Sequence, residues 1–479
     1  MDVSQIANDE VALPDPHTSR QLFRIGLAAL IAGILWLVYK SAITDLVLLT
    51  IGALSMILAA LPALNWARRG DLHFPVFEMF MLTSIPFYSV PLLAGHPEVL
   101  RFTDAATNQA GISLLLFQVA AVATFMATKA QPLRSPLLTV SMLPVAALRY
   151  AQTGMWLNTC YLYTISFLDV IPDEFGTMSR AMFFGIGTVS LFIEMRRWGA
   201  GELTSTSKLA LTFNMVVQLL ILFRTLYLIV GISVLLLALI GYISTSRKIP
   251  ILAIGILLPL LAILHTGKSR MRIEYWGPGA TQASITDLPE FFEKWVQYGL
   301  SPAPDEEQRS TSLTGRLFER ASLFQMLCLV TERTPEDAPY LLGESYRYIP
   351  AQLVPSILWP NKPSSLLSNV LLAVHFGLVS ASAPTSVSIA FGMIAESYAN
   401  FGLFGCVLLG VVLGYGYKWL SLAALGRPQF SAVGLATILL AAWSFQVEQI
   451  FASWLISMIQ SGFIVIGGPI AFRILFGNH

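Results

Sequence analysis

Arg316 and Arg320 stand four residues apart in TGRLFERASLF, a spacing that stacks two guanidiniums on one helical face. Such a pair offers a fork to phosphate oxygens, because arginine binds them bidentately and keeps its charge at any working pH. Glu319 lies beside them, so a salt-bridged surface face is the competing reading. Lys268, Arg270 and Arg272 follow an apolar run in HTGKSRMR, and in an extended chain their alternate spacing puts all three on one side. They would sit at headgroup height, where they either meet a lipid pyrophosphate or snorkel to anionic lipids. Arg224 interrupts the apolar stretch NMVVQLLILFRTLYLIVG, where an unpaired charge costs at least ~2.5 kcal/mol. It is therefore expected to face a polar cavity or a ligand, and Arg149 is a weaker instance of the same pattern.

Two residues are candidates for a general base. His375 in LLAVHFGLV and Glu396 in MIAESYANFG each stand in apolar surroundings, a setting suited to taking a proton from a sugar hydroxyl. The structural alternatives are a core histidine and a glutamate bonded to backbone near the start of a span. No DxD pair, HExxH, Walker loop or CxxC occurs, so neither a metal nor a nucleotide cofactor is expected. Cys160, Cys328 and Cys406 are too scattered for a metal site or a disulfide framework.

The elements that must position these residues are apolar helices. The chain is 55% hydrophobic and only 12% charged, against about 25% charged in soluble domains, which marks an all-α polytopic membrane protein. A net charge of +1 argues against nucleic acid as a partner. A span needs about 20 apolar residues, which predicts about twelve: 22–39, 43–63, 74–94, 110–128, 137–156, 179–195, 208–223, 225–243, 249–265, 402–420, 430–447 and 455–475. The organisation expected is a cytoplasmic tail (1–21), a nine-helix block (22–265), a long loop (266–401) and a three-helix block (402–479). Arg68, Arg69, Arg196, Arg197, Arg247, Lys248 and Lys418 fall in one set of connections, so the positive-inside rule puts both termini in the cytoplasm and the long loop outside. Within that loop, DLPEFFEKWVQYGL reads as an amphipathic helix started by an Asp287–Glu290 capping box. Its face of Leu288, Phe291, Phe292 and Trp295 either lies in the membrane interface or packs on protein. SLTGRLFERASLFQMLCLV reads as a second loop helix. No internal repeat is visible, which weakens a transporter reading.

The phrases GESYRYIPAQLVPSILWPNKP and SVSIAFGMIAESYANFG, after a span ending in HTGKSRMR, resemble the bacterial O-antigen and exopolysaccharide polymerases of the Wzy type. The matching positions are Gly343, Tyr346, Pro350, Pro355, Lys362, Pro363, Glu396, Tyr398, Asn400, Phe401 and Gly402. The layout of many spans with one large external loop toward the C-terminal end is also similar. One departure touches the loop arginines: no arginine is followed by ten residues and a glycine, a spacing some members carry. The resemblance implies a GT-C-like fold in the bacterial inner membrane. It implies a metal-independent glycosyltransferase that joins undecaprenyl-pyrophosphate-linked glycan, as donor, to a new lipid-linked repeat unit. A chain-length regulator and a flippase would be its partners. On that reading Arg224, Lys268, Arg270, Arg272, Arg316 and Arg320 hold the pyrophosphate, Glu396 or His375 is the base, and Tyr346, Arg347, Trp359, Lys362 and Tyr398 face the glycan. The rivals are an O-antigen ligase with the same donor, a lipid-linked glycan transporter, and a non-enzymatic assembly partner.

Overall fold

The computed structural model describes residues 16–69, 74–129, 144–168, 173–276, 283–301, 322–354, 358–359, 361–363, 366–380, 389–427 and 429–470. Among them the regular structure is helical. In chain order the helices are α1 (Pro16–Lys40), α2 (Leu46–Arg69), α3 (Val76–Ser84), α4 (Val90–Ala94), α5 (Asp104–Ala127), α6 (Pro144–Phe167), α7 (Asp173–Gly199), α8 (Ser205–Arg224) and α9 (Leu228–Ser246). There follow α10 (Ile251–Trp276), α11 (Leu288–Leu300), α12 (Phe324–Arg333), α13 (Ile349–Leu353), α14 (Leu367–His375), α15 (Met393–Ala424), α16 (Ala432–Ser444) and α17 (Phe451–Gly462). Ten stretches among the described residues are long and apolar enough to cross a membrane: α1, α2, the joined α3–α4, α5, α7, α8, α9, α10, α15 and α17 with its extension to Ile470. The protein is thus a multi-pass, all-helical membrane protein.

Two expected spans look different. The fifth, placed at 137–156, is represented by α6 over 144–167, shifted toward the C-terminus and interrupted by Arg149, Gln152 and Asn158. Arg149 therefore lies in the second turn of α6. The eleventh is α16, whose 13 residues measure about 20 Å, short of the roughly 30 Å hydrocarbon.

The chain divides into two compact units, one of residues 1–147, 177–185 and 321–479, the other of residues 148–176 and 186–320. In the first unit α15 packs directly on α5, because glycines let two backbones touch. A Cβ at Gly410 would come within 2.5 Å of the Phe117 carbonyl oxygen, and one at Gly414 within 2.4 Å of that of Ala121. The α3–α4 stretch contains Pro86 and Pro91 and takes a π turn at Ile85–Ser89. Pro91 has no N–H for the carbonyl four residues back, and the freed Phe87 oxygen accepts the Leu323 N–H at 2.9 Å.

In the second unit α10 continues through HTGKSRMRIEYW to Trp276, since nothing breaks it before Gly277 and Pro278. Lys268, Arg270 and Arg272 are therefore helical, not extended. At 100° per residue Lys268 and Arg272 share a face and Arg270 lies on the other. α11 folds back antiparallel along α10: Thr266 Oγ1 donates to the Gly299 oxygen (3.0 Å), Trp295 Nε1 to that of Leu264 (2.7 Å), and Lys294 pairs with Glu274. Its apolar face is thus spent on protein, with Phe291 and Trp295 buried against Leu264 and Met271. The capping box does not form. Asp287 instead accepts from the backbone N–H and hydroxyl of Ser284, and these bonds hold its carboxyl below the usual range.

Candidate functional site

The described parts of the two phrases that carry the resemblance fold against each other in the first unit. α15 is broken at Phe401 and Gly402, and Gly402 takes φ +60° with Tyr340 packed on the side a Cβ would occupy. The break frees the carbonyls of Ala399 and Asn400, which accept the N–H groups of Leu341 (3.0 Å) and Leu342 (3.1 Å). Asn400 then fastens the next turn: its Oδ1 accepts Gly343 N–H (2.9 Å) and its Nδ2 donates to Ser345 Oγ (2.8 Å). The Ser345 hydroxyl donates onward to Glu396 Oε1 at 2.9 Å.

Glu396 is fully buried, and its other oxygen accepts the Ala452 N–H (3.3 Å) in the first turn of α17. Ile450, the residue capping α17, supplies no side-chain bond, so Glu396 caps that helix from another element, where the dipole favours a carboxylate. Each Glu396 oxygen thus meets one of these donors, and the buried carboxylate ties Ser345 and the 341–346 turn to the start of α17.

Around this network the other expected residues separate by exposure. Tyr346 is half-buried, with its hydroxyl 3.2 Å from Ser397 Oγ and its ring near Phe401 and Phe451. Burial and the nearby Glu396 raise its phenol above the ordinary value. Tyr398 is 3% exposed and its hydroxyl accepts from Gln109 Nε2 (3.3 Å), so its ring is closed to a sugar. Trp359, at 44% exposed, presents its ring to solvent. Arg347 is exposed, ion-paired with Glu344 and lying 4.9 Å over the Tyr348 ring. Lys362 Nζ donates to the Val354 oxygen (2.8 Å), and partial burial lowers its pKa. His375, at the end of α14, has Nε2 2.9 Å from the Pro339 oxygen.

The cationic candidates belong to the second unit. Arg224, the last residue of α8, donates from Nε to the Ala283 oxygen (2.6 Å) and lies 4.7 Å from the Phe167 ring centre. Arg272 Nη2 donates to the Leu226 oxygen (2.9 Å), its guanidinium 4.3 Å over Trp276 and 5.5 Å over Tyr227. Arg270 Nη1 donates to the Ser301 oxygen (2.9 Å) and stacks 4.0 Å over Tyr298. Thus Arg272 reaches the α8–α9 junction that Arg224 precedes, while Arg270 turns toward α11. Lys268 is half-buried on the same helix. Arg316 and Arg320 lie outside the described residues, as does most of the expected second loop helix.

Sequence reasoning missed Ser345, the hub between Asn400 and Glu396, and Gln109, the partner of Tyr398. Ser345 sits inside the GESY phrase, but a serine between a glutamate and a tyrosine has no spacing that marks it. Gln109, on the distant α5, leaves no local signal at all.

No curated protein and no solved structure matches the chain. A sequence family does: the family described as Domain of unknown function (DUF8712) matches residues 149–464, well over half of the chain. The match takes in α8 to α10, the 341–346 turn and the broken start of α15, and the chain belongs to this family.

Proposed function

We propose that the protein is a membrane glycosyltransferase that polymerises undecaprenyl-pyrophosphate-linked repeat units on the extracytoplasmic face of the bacterial inner membrane. The observation that carries the reading is the set of guanidiniums at the ends of α8 and α10, each held by a backbone carbonyl and an aromatic ring. A guanidinium has five N–H donors, so one bond to a carbonyl orients Arg224 or Arg270 and leaves donors for phosphate oxygens. Cations fixed before the reaction stabilise charge as it develops on a leaving pyrophosphate, without reorganising.

In the reaction a hydroxyl of the acceptor glycan attacks the anomeric carbon of the donor. The bond from that carbon to the pyrophosphate oxygen breaks, the lipid pyrophosphate leaves with the electron pair, and the hydroxyl proton passes to a base. Glu396 and His375 are the candidates for that base, and Glu396 also holds the 341–346 turn. Trp359 and Arg347 are the exposed glycan contacts. A strain lacking the chain tests the proposal on a gel of lipid-linked and surface glycan. A ladder collapsed to single repeats is expected. Full-length glycan stranded on the carrier would mean a ligase instead, and an unchanged ladder would overturn the reading.

A further inference from the structure

The first unit holds a second cationic site, unrelated to the residues above. At the end of α2, Trp66 and Arg69 line a small cavity of about 120 Å³ with Glu78 of α3, Phe125 and Met126 of α5, and Lys418 of α15. Lys418 is held there, its ammonium 4.8 Å over the Phe125 ring, which itself stacks at 4.1 Å on Phe77. Glu78 is 3% exposed. The cavity shares Asn65, Arg69 and Met126 with a groove of about 520 Å³ between α1, α2 and α5. That groove is apolar along its length, lined by residues such as Phe23, Leu27, Ile31, Ile57 and Leu61, and it ends at Arg68 and Arg69. α1 approaches α2 closely where Gly26 meets Leu64 and Gly33 meets Met56.

We infer that this groove and cavity bind one anionic glycerophospholipid. An acyl chain lies along α1 and α2, the phosphodiester meets Arg68, Arg69 and Lys418, and headgroup hydroxyls donate to Glu78. Among the described residues lining the groove and cavity, Arg68, Arg69 and Lys418 stand against Glu78, an excess of positive charge that selects a headgroup with net negative charge. Basic pockets between membrane helices are suited to such lipids, and snorkelling arginines alone need neither an enclosed cavity nor an adjoining apolar groove. A free phosphate would leave the groove unfilled.

Native mass spectrometry of the full chain in detergent, offered equal phosphatidylglycerol and phosphatidylethanolamine, tests this. The expected result is a phosphatidylglycerol adduct that outlasts the ethanolamine lipid. Arg69→Gln with Lys418→Gln should weaken it by about thirtyfold, the attraction of two surface cations. Leu27→Trp, which blocks the groove and spares every charge, should remove the adduct as well and serves if the double variant is unstable. Arg101→Gln, on an exposed pair elsewhere, should leave it intact. Equal retention of both lipids, a polyprenyl phosphate displacing phosphatidylglycerol, or an undiminished adduct in a folded groove variant would each overturn the inference.

Discussion

At the scale of single residues, the partners of a charge separate its possible roles. Glu396 accepts from a hydroxyl and a backbone amide, and glutamine in its place must turn a donor toward one of them. A buried donor left without an acceptor costs roughly 1–3 kcal/mol. Glu396→Gln should therefore lower the melting temperature in detergent, with glycan output falling in step with the folded fraction. Lost output at an unchanged melting temperature would show that Glu396 meets the substrate. Arg224 calls for the opposite pattern: Arg224→Ala should leave membrane incorporation intact while long glycan disappears. Arg224→Lys, which keeps charge but loses the planar fork, should recover only part of it; wild-type ladders from both would remove Arg224 from the phosphate site.

At the scale of elements, α10 and α11 behave as one antiparallel pair. The aromatic face of α11 was legible from its spacing, yet spacing could not say whether lipid or protein would cover it. Two glycines decide this: a Cβ at Gly267 would lie 2.7 Å from the Trp295 carbonyl oxygen, and one at Gly299 would lie 2.1 Å from that of Ile263. Trp295 is buried in the resulting seam and bonded to Leu264. Trp295→Ala should cost about 3–5 kcal/mol of local packing and expose α11 itself to protease while the apolar spans stay protected. Unchanged cleavage would mean that α11 is held by something other than this seam. The same pairing explains why Lys268, Arg270 and Arg272 are not on one side. A headgroup-level segment with no breaker continues the helix below it, and a period of 3.6 then replaces a period of two.

At the scale of the whole molecule, the positive-inside rule assigns sides to the connections. Cys160 is exposed, whereas Cys328 and Cys406 are buried, so a Cys160→Ser background allows introduced thiols to be read one at a time. Glu344→Cys in the 341–346 turn should react with a membrane-impermeant reagent on intact spheroplasts. Arg247→Cys, after α9, should react only once the membrane is opened; the reverse pattern would invert the topology and remove the extracytoplasmic active site. Composition and apolar run length determined by themselves that this is a helical membrane protein, where most spans lie, and that one long polar segment interrupts them. Those follow from the bilayer, which demands internally bonded backbone and apolar surface over a known length. Tertiary structure alone decided that Glu396, Ser345 and Asn400 form one buried network, and that Tyr398 is closed off while Trp359 is open. It also gave Arg224, Arg270 and Arg272 each a carbonyl and a ring. Such partners come from residues far apart in the chain, brought together by helix breaks and glycine contacts that no local periodicity records.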